Sequence, residues 1–140
     1  MALGNLDGAL AAFREGLWYR PGNALAQMSF GVALARSGRS GEARKAFEDS
    51  VRADPSGVEA HYDLGLVEQA LGDNLGALES YDAALRLRPG YGAVQAARAE
   101  ALYNLGRYQE AWIAVLAARA MKVEADPGLA ARIQAKAGKK

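Results

Sequence analysis

The sequence predicts an all-α solenoid of antiparallel helix pairs, and three observations carry that expectation. First, a phrase recurs at a fixed step. The glycines Gly4, Gly38, Gly72 and Gly106 stand 34 residues apart, as do Ala9, Ala43, Ala77 and Ala111, and Pro21, Pro55 and Pro89. Second, apolar residues between these marks fall at three- and four-residue steps, the period of a helix. Third, 51% of the 140 residues are hydrophobic, and much of that share is alanine, which suits tightly packed helices better than a sheet. A fixed period of this length means stacked units, each too small to bury its apolar faces alone.

The elements follow in order. A lone helix over 6–19 opens the chain. Pairs follow over 24–53, 58–87 and 93–123, and a final helix covers 129–137. The third unit shows the logic. Tyr62, Leu64, Leu66, Val67, Ala70 and Leu71 form a broad apolar stripe, as expected of a helix covered on two sides. Gly72 supplies the left-handed backbone that often ends a helix. Asp73 or Asn74 can cap the next helix by accepting a bond from a free amide. Ala77, Leu78, Tyr81, Ala84 and Leu85 mark that helix's buried face. Pro89 ends it, having no amide hydrogen and disfavouring helical geometry at Arg88. Gly31, Gly65 and Ala99 allow close helix approach, while Phe13, Phe47, Tyr81 and Val115 fill one recurring large position. Pro127 stands four residues later than the period requires, so either the preceding helix gains about a turn or the link is longer. Leu129 and Ile133 lie on one face of the last helix.

Charge and composition exclude several function classes. The formal charge is +1, with both signs interspersed, so no strong field favours nucleic acid or an anionic membrane. Without cysteine there is no disulfide, thiol nucleophile or thiolate metal site, a composition compatible with a cytoplasmic location. No apolar run is long enough for a bilayer, and no signal peptide is visible. The start falls inside the repeat pattern, which fits a leader or an upstream half-repeat trimmed from a longer chain. His61 is the only histidine. Together with Glu59 and Asp63 it makes a poor metal set, and a structural or rim role is expected for it. No Ser-His-Asp arrangement or phosphate-cradling glycine loop is indicated. The expectation is therefore no enzyme, no metal and no cofactor. The tail 135–140 reads as a solvated basic end.

These residues resemble the tetratricopeptide repeat. The matches are Leu64, Gly65, Gly72, Ala77, Tyr81, Ala84 and Pro89 in one unit, and Phe30, Gly31, Leu34, Gly38, Ala43, Phe47 and Pro55 in the unit before it. The first unit keeps only its second half, with Ala9, Phe13 and Pro21. The last keeps Ala99, Leu102, Gly106, Ala111 and Ala118. It departs at Arg98, where a core leucine is expected, and at Val123, where a proline is expected. That places Arg98 at a rim or bends the last stack. The resemblance divides the chain into a half repeat over 1–21, repeats over 24–57 and 58–91, a divergent repeat over 92–126, and a capping helix with a basic tail over 127–140. It implies a right-handed superhelical solenoid, mostly non-catalytic, whose concave face of first helices holds a partner segment.

Two functions then compete. As a scaffold or adaptor, the chain would bind a protein or peptide along Met28, Arg36, Glu59, Tyr62, Asp63, Gln69, Glu100, Tyr103 and Asn104. Val32, Leu66 and the alanines of that face are expected to serve packing. Some family members clamp a C-terminal carboxylate with cationic residues. The matching sites here are Met28, Val32, Asp63, Ala93 and Ala97, so the groove is expected to take a partly apolar segment and not an acidic tail. The alternative is a structural module that self-associates end to end. The first helix lacks a partner, so its face with Leu3, Leu6, Leu10, Phe13 and Leu17 would be partly uncovered, and Leu129 and Ile133 would offer the complementary surface in a homo-oligomer.

Overall fold

The structure is a computed structural model that describes residues 3–19 and 22–138, and the side chains of 7–18 and 22–138. Pro21 and the tail lysines Lys139 and Lys140 lie outside the described residues, and the side chains of Leu3 and Leu6 lie outside the described side chains. Every described element is a helix. They are α1 (Leu3–Tyr19), α2 (Ala24–Arg36), α3 (Ser40–Ala53), α4 (Val58–Ala70), α5 (Asn74–Leu87), α6 (Gly92–Asn104), α7 (Tyr108–Ala120) and α8 (Pro127–Lys136). Each packs on its neighbours in sequence, and α2, α4 and α6 also touch in turn. The short links force antiparallel pairs, α2/α3, α4/α5 and α6/α7.

Helix ends follow local chemistry. Gly38, Gly72 and Gly106 have φ of +80°, +86° and +76°, and each is followed by an amide that reaches back to close the helix: Arg39 N to Leu34 O, Asp73 N to Glu68 O and Arg107 N to Leu102 O, at 2.8–2.9 Å. Asn23, Asp73 and Asp126 cap α2, α5 and α8 by accepting from the amides of Ala26, Gly76 and Leu129. The helices α3 and α5 run straight into Pro55 and Pro89. α7 ends differently. Val123, standing where the period calls for proline, donates its amide to Ala118 O at 2.9 Å, a bond proline cannot make, and Lys122 turns left-handed with φ +63°. The delayed Pro127 therefore reflects a longer link and not a longer helix. Arg98 sits at a rim, its Nε 2.7 Å from Asp82.

The core repeats as the pairs do. Ala43, Ala77 and Ala111 are fully buried where paired helices cross. A β-carbon on Gly31 would stand 2.6 Å from the Phe47 ring, and one on Gly65 would stand 2.4 Å from the Tyr81 ring. In the last pair Ala99 is tolerated because the ring position is the smaller Val115, and both are fully buried in one cluster. Glu68 occupies the place that Leu34 and Leu102 hold in the adjoining repeats, yet it is only 6% exposed. The Ser80 hydroxyl donates to it, and Arg44 lies 3.8 Å from it while pairing with Asp73 at 3.0 Å. Burial pushes the Glu68 carboxyl up, against the opposing pull of Ser80 and Arg44.

Gly65→Ala is expected to destabilise the chain by about 1–3 kcal/mol, because the Tyr81 ring has no room to retreat. Urea denaturation measures this. Combining it with Tyr81→Val, which reproduces the Ala99/Val115 pairing, should cost less than the sum of the two single changes.

Candidate partner-binding groove

The first helices α2, α4 and α6 lie side by side and present one row of residues per repeat position. Among the hollows that border this face, two adjoin each other. The larger, about 320 Å³, lies between α1 and α2 and is lined by Ala9, Phe13, Met28, Ser29, Val32, Ala33 and Arg36. A smaller one of about 140 Å³ adjoins it through Val32 and Arg36, and reaches Ala35, Leu66 and Asp63.

The structure sorts the expected contact residues. Met28, Arg36 and Asp63 converge on the two hollows. Glu59 turns to the rim, where Arg88 reaches it at 3.3 Å while lying over the Tyr91 ring. Tyr62 packs between Tyr81 and Tyr91 in tilted contacts, with ring centres 6.2 and 5.4 Å away. Gln69 is spent internally, its Oε1 accepting from the Tyr81 hydroxyl at 2.8 Å. Tyr103 packs on Tyr108, and Asn104 donates to Asn74 across to α5 at 3.1 Å. Glu100 is exposed on α6. Val32 and Leu66, expected to serve packing, also line the hollows. His61 has its Nε2 2.9 Å from Pro55 O, a structural contact with the preceding link.

The residues expected to form sticky ends are placed otherwise. Leu10 is 2% exposed and Leu17 is also buried, while Phe13 packs beside Phe30 with ring centres 6.3 Å apart. The face of α1 expected to be partly uncovered is thus the face that α2 covers, and Phe13 walls the groove. Leu129 and Ile133 are likewise buried, in a cluster with Ala111, Ala114 and Val115 of α7. Their apolar face packs against α7. Leu6 belongs to the undescribed side chains.

Asp63 stands out electrostatically. Burial, then the nearby Glu59 carboxylate, pushes it from the ordinary 3.8 up to about 6. The sequence placed Asp63 on this face but carried no sign that, among the described residues, no cation pairs with it. Tyr62 is also pushed up, chiefly by burial. Among the described residues no three His, Asp or Glu side chains converge as a metal site would require, and no helix is long and apolar enough to cross a membrane.

Comparison with known proteins agrees with this architecture. The crystal structure of MamA superposes with a TM-score of 0.88 at 20% identity, covering 96% of this chain and 75% of that one. YrrB, described as a tetratricopeptide-repeat protein with an unusual peptide-binding site, superposes with a TM-score of 0.83 at 24% identity, covering 99% of this chain and 72% of that one. At such identities the likeness is one of fold, the right-handed superhelical solenoid. Human tetratricopeptide repeat protein 7A is 34% identical over 84 residues, which span 60% of this chain and only 10% of that protein. The tetratricopeptide-repeat family model matches residues 1–58 and 62–130, so the chain belongs to the tetratricopeptide-repeat family.

Proposed function

We propose that the chain is a non-catalytic adaptor that binds a partner segment along the face of α2, α4 and α6. The observation that carries this reading is the 320 Å³ hollow walled by Phe13, Met28 and Val32, an apolar recess left open on the inner face. Recesses of this size, lined by apolar groups with a few polar ones, are where binding energy concentrates. Methionine suits the task because it adapts to different side chains. The neighbouring Asp63 supports the same reading, since a carboxylate perturbed by burial beside a like charge in a cleft is a candidate functional group.

The first test is selection of a random peptide library on the full chain. Selected peptides should bind Ser29→Glu, which fills the recess with a charge, about tenfold or more weakly. They should bind Ile113→Glu, on the exposed outer side of α7, unchanged. Equal binding to both variants would rule the groove out.

The cost of Asp63 to the fold gives a second test. Its pKa is higher folded than unfolded, so its charge opposes folding above about pH 6 and ceases to do so below about pH 3.8. Asp63→Asn should therefore stabilise the chain at pH 7.5 by about 1 kcal/mol, less than the full shift because solvent screens a partly buried charge. The gain should vanish near pH 4. Thermal melts across that range decide it.

End-to-end self-association remains as a second reading on one observation: Trp18, near the end of α1, is 79% exposed. Its signature is a sedimenting mass that rises with concentration and returns to the monomer value for Trp18→Glu. A monomer at every concentration in the unaltered chain removes it.

A further inference from the structure

The helix α4 carries three carboxylates, and two of them hold an arginine of this chain. Glu59 has Arg88 at 3.3 Å, and Glu68 has Arg44 at 3.8 Å together with the Ser80 hydroxyl. Asp63, between them, is partly buried beside Val32, Ala35 and Leu66, and among the described residues no hydrogen bond or ion pair reaches it. Arg36 borders the same hollow but is exposed and stands beyond ion-pair distance, so water screens its charge. Glu59 adds negative charge from the same helix. The site is therefore a carboxylate at the edge of an apolar recess, with its own sign of charge nearby and, among the described residues, no cation within ion-pair distance.

Resting on the adaptor reading above, we propose that the partner segment brings a lysine or arginine whose cation seats on Asp63, next to an apolar residue that enters the Phe13–Met28–Val32 recess. Charge complementarity selects the cation. A second carboxylate would be repelled, and a neutral side chain would leave Asp63 as costly as before. A guanidinium or ammonium supplies the charged hydrogen bond that the chain withholds, and its aliphatic stem can lie along Leu66 and Ala35. The two hollows share Val32 and Arg36, so one extended segment can fill both from positions close together in its sequence.

The experiment uses the peptides selected on the full chain. They are sequenced, and their affinities are measured by calorimetry against the unaltered chain, Asp63→Asn and Glu59→Gln. A thermal melt of each variant establishes that it is folded. The expected result is enrichment of Lys or Arg within a few residues of an apolar side chain, about tenfold weaker binding to Asp63→Asn, and little change for Glu59→Gln. Peptides that lose affinity for Ser29→Glu but lack a basic residue, or that bind Asp63→Asn unchanged, would overturn this inference and leave the groove reading standing. Failure to select any peptide above an unrelated helical protein would overturn both.

Discussion

The architecture depends on how closely the two helices of each pair approach at one layer. In α2/α3 and α4/α5 the layer is filled by a ring from one helix lying on a bare backbone of the other, Phe47 on Gly31 and Tyr81 on Gly65. In α6/α7 the same space is divided between Ala99 and Val115. What is kept is the sum of the two side chains and not either identity, as close packing requires. With that distance set, Ala43, Ala77 and Ala111 are buried at the crossings, and the inner faces of α2, α4 and α6 come level with one another.

Between repeats the chain uses two kinds of contact. Around Leu34 and Leu102 the contact is apolar. Around Glu68 it is polar, and Arg44 of α3 reaches both Glu68 of α4 and Asp73 at the start of α5. Ser80 replaces the alanines Ala46 and Ala114 of the adjoining repeats, so the hydroxyl and the carboxylate occur together. A buried carboxylate in a leucine's place is tolerable only with such partners, and loss of one would strand the charge. The cluster thus ties three helices at the centre of the array by geometry and not by apolar contact alone.

The pairing of helices, their bounds to within a few residues and the turn glycines were legible in the sequence, because packing within a repeat is written in its period. Contacts one repeat apart were not. Arg44 to Asp73 and Glu59 to Arg88 span 29 residues, and Asn74 to Asn104 spans 30. A search for complementary charges 29 residues apart would have found the two ion pairs and shown Glu59 to be engaged, whereas the neutral Asn74–Asn104 pair carries no such signal. The end of α7 was left open because both a longer helix and a longer link fit the delayed proline, and only the amide of Val123 decides between them. The burial of Leu10, Leu129 and Ile133 was not legible for a simpler reason. An apolar stripe reads the same whether a neighbour covers it or a partner must, and α2 and α7 are the neighbours that cover these.

A solenoid sets equivalent positions of successive repeats next to each other, so the groove is better read across the helices than along them. Met28, Tyr62 and Ala96 form one such row, and Val32, Leu66 and Glu100 another. The row that matters for Asp63 is Ser29, Asp63 and Ala97. Its two flanking members are small and uncharged, so nothing from α2 or α6 in that row crowds or neutralises the carboxylate. The backbone repeats, but the chemistry along this row does not. Packing places no demand on a side chain that faces the groove, which leaves these positions free to differ. The acid, unpaired among the described residues, therefore lies where the fold has least use for it.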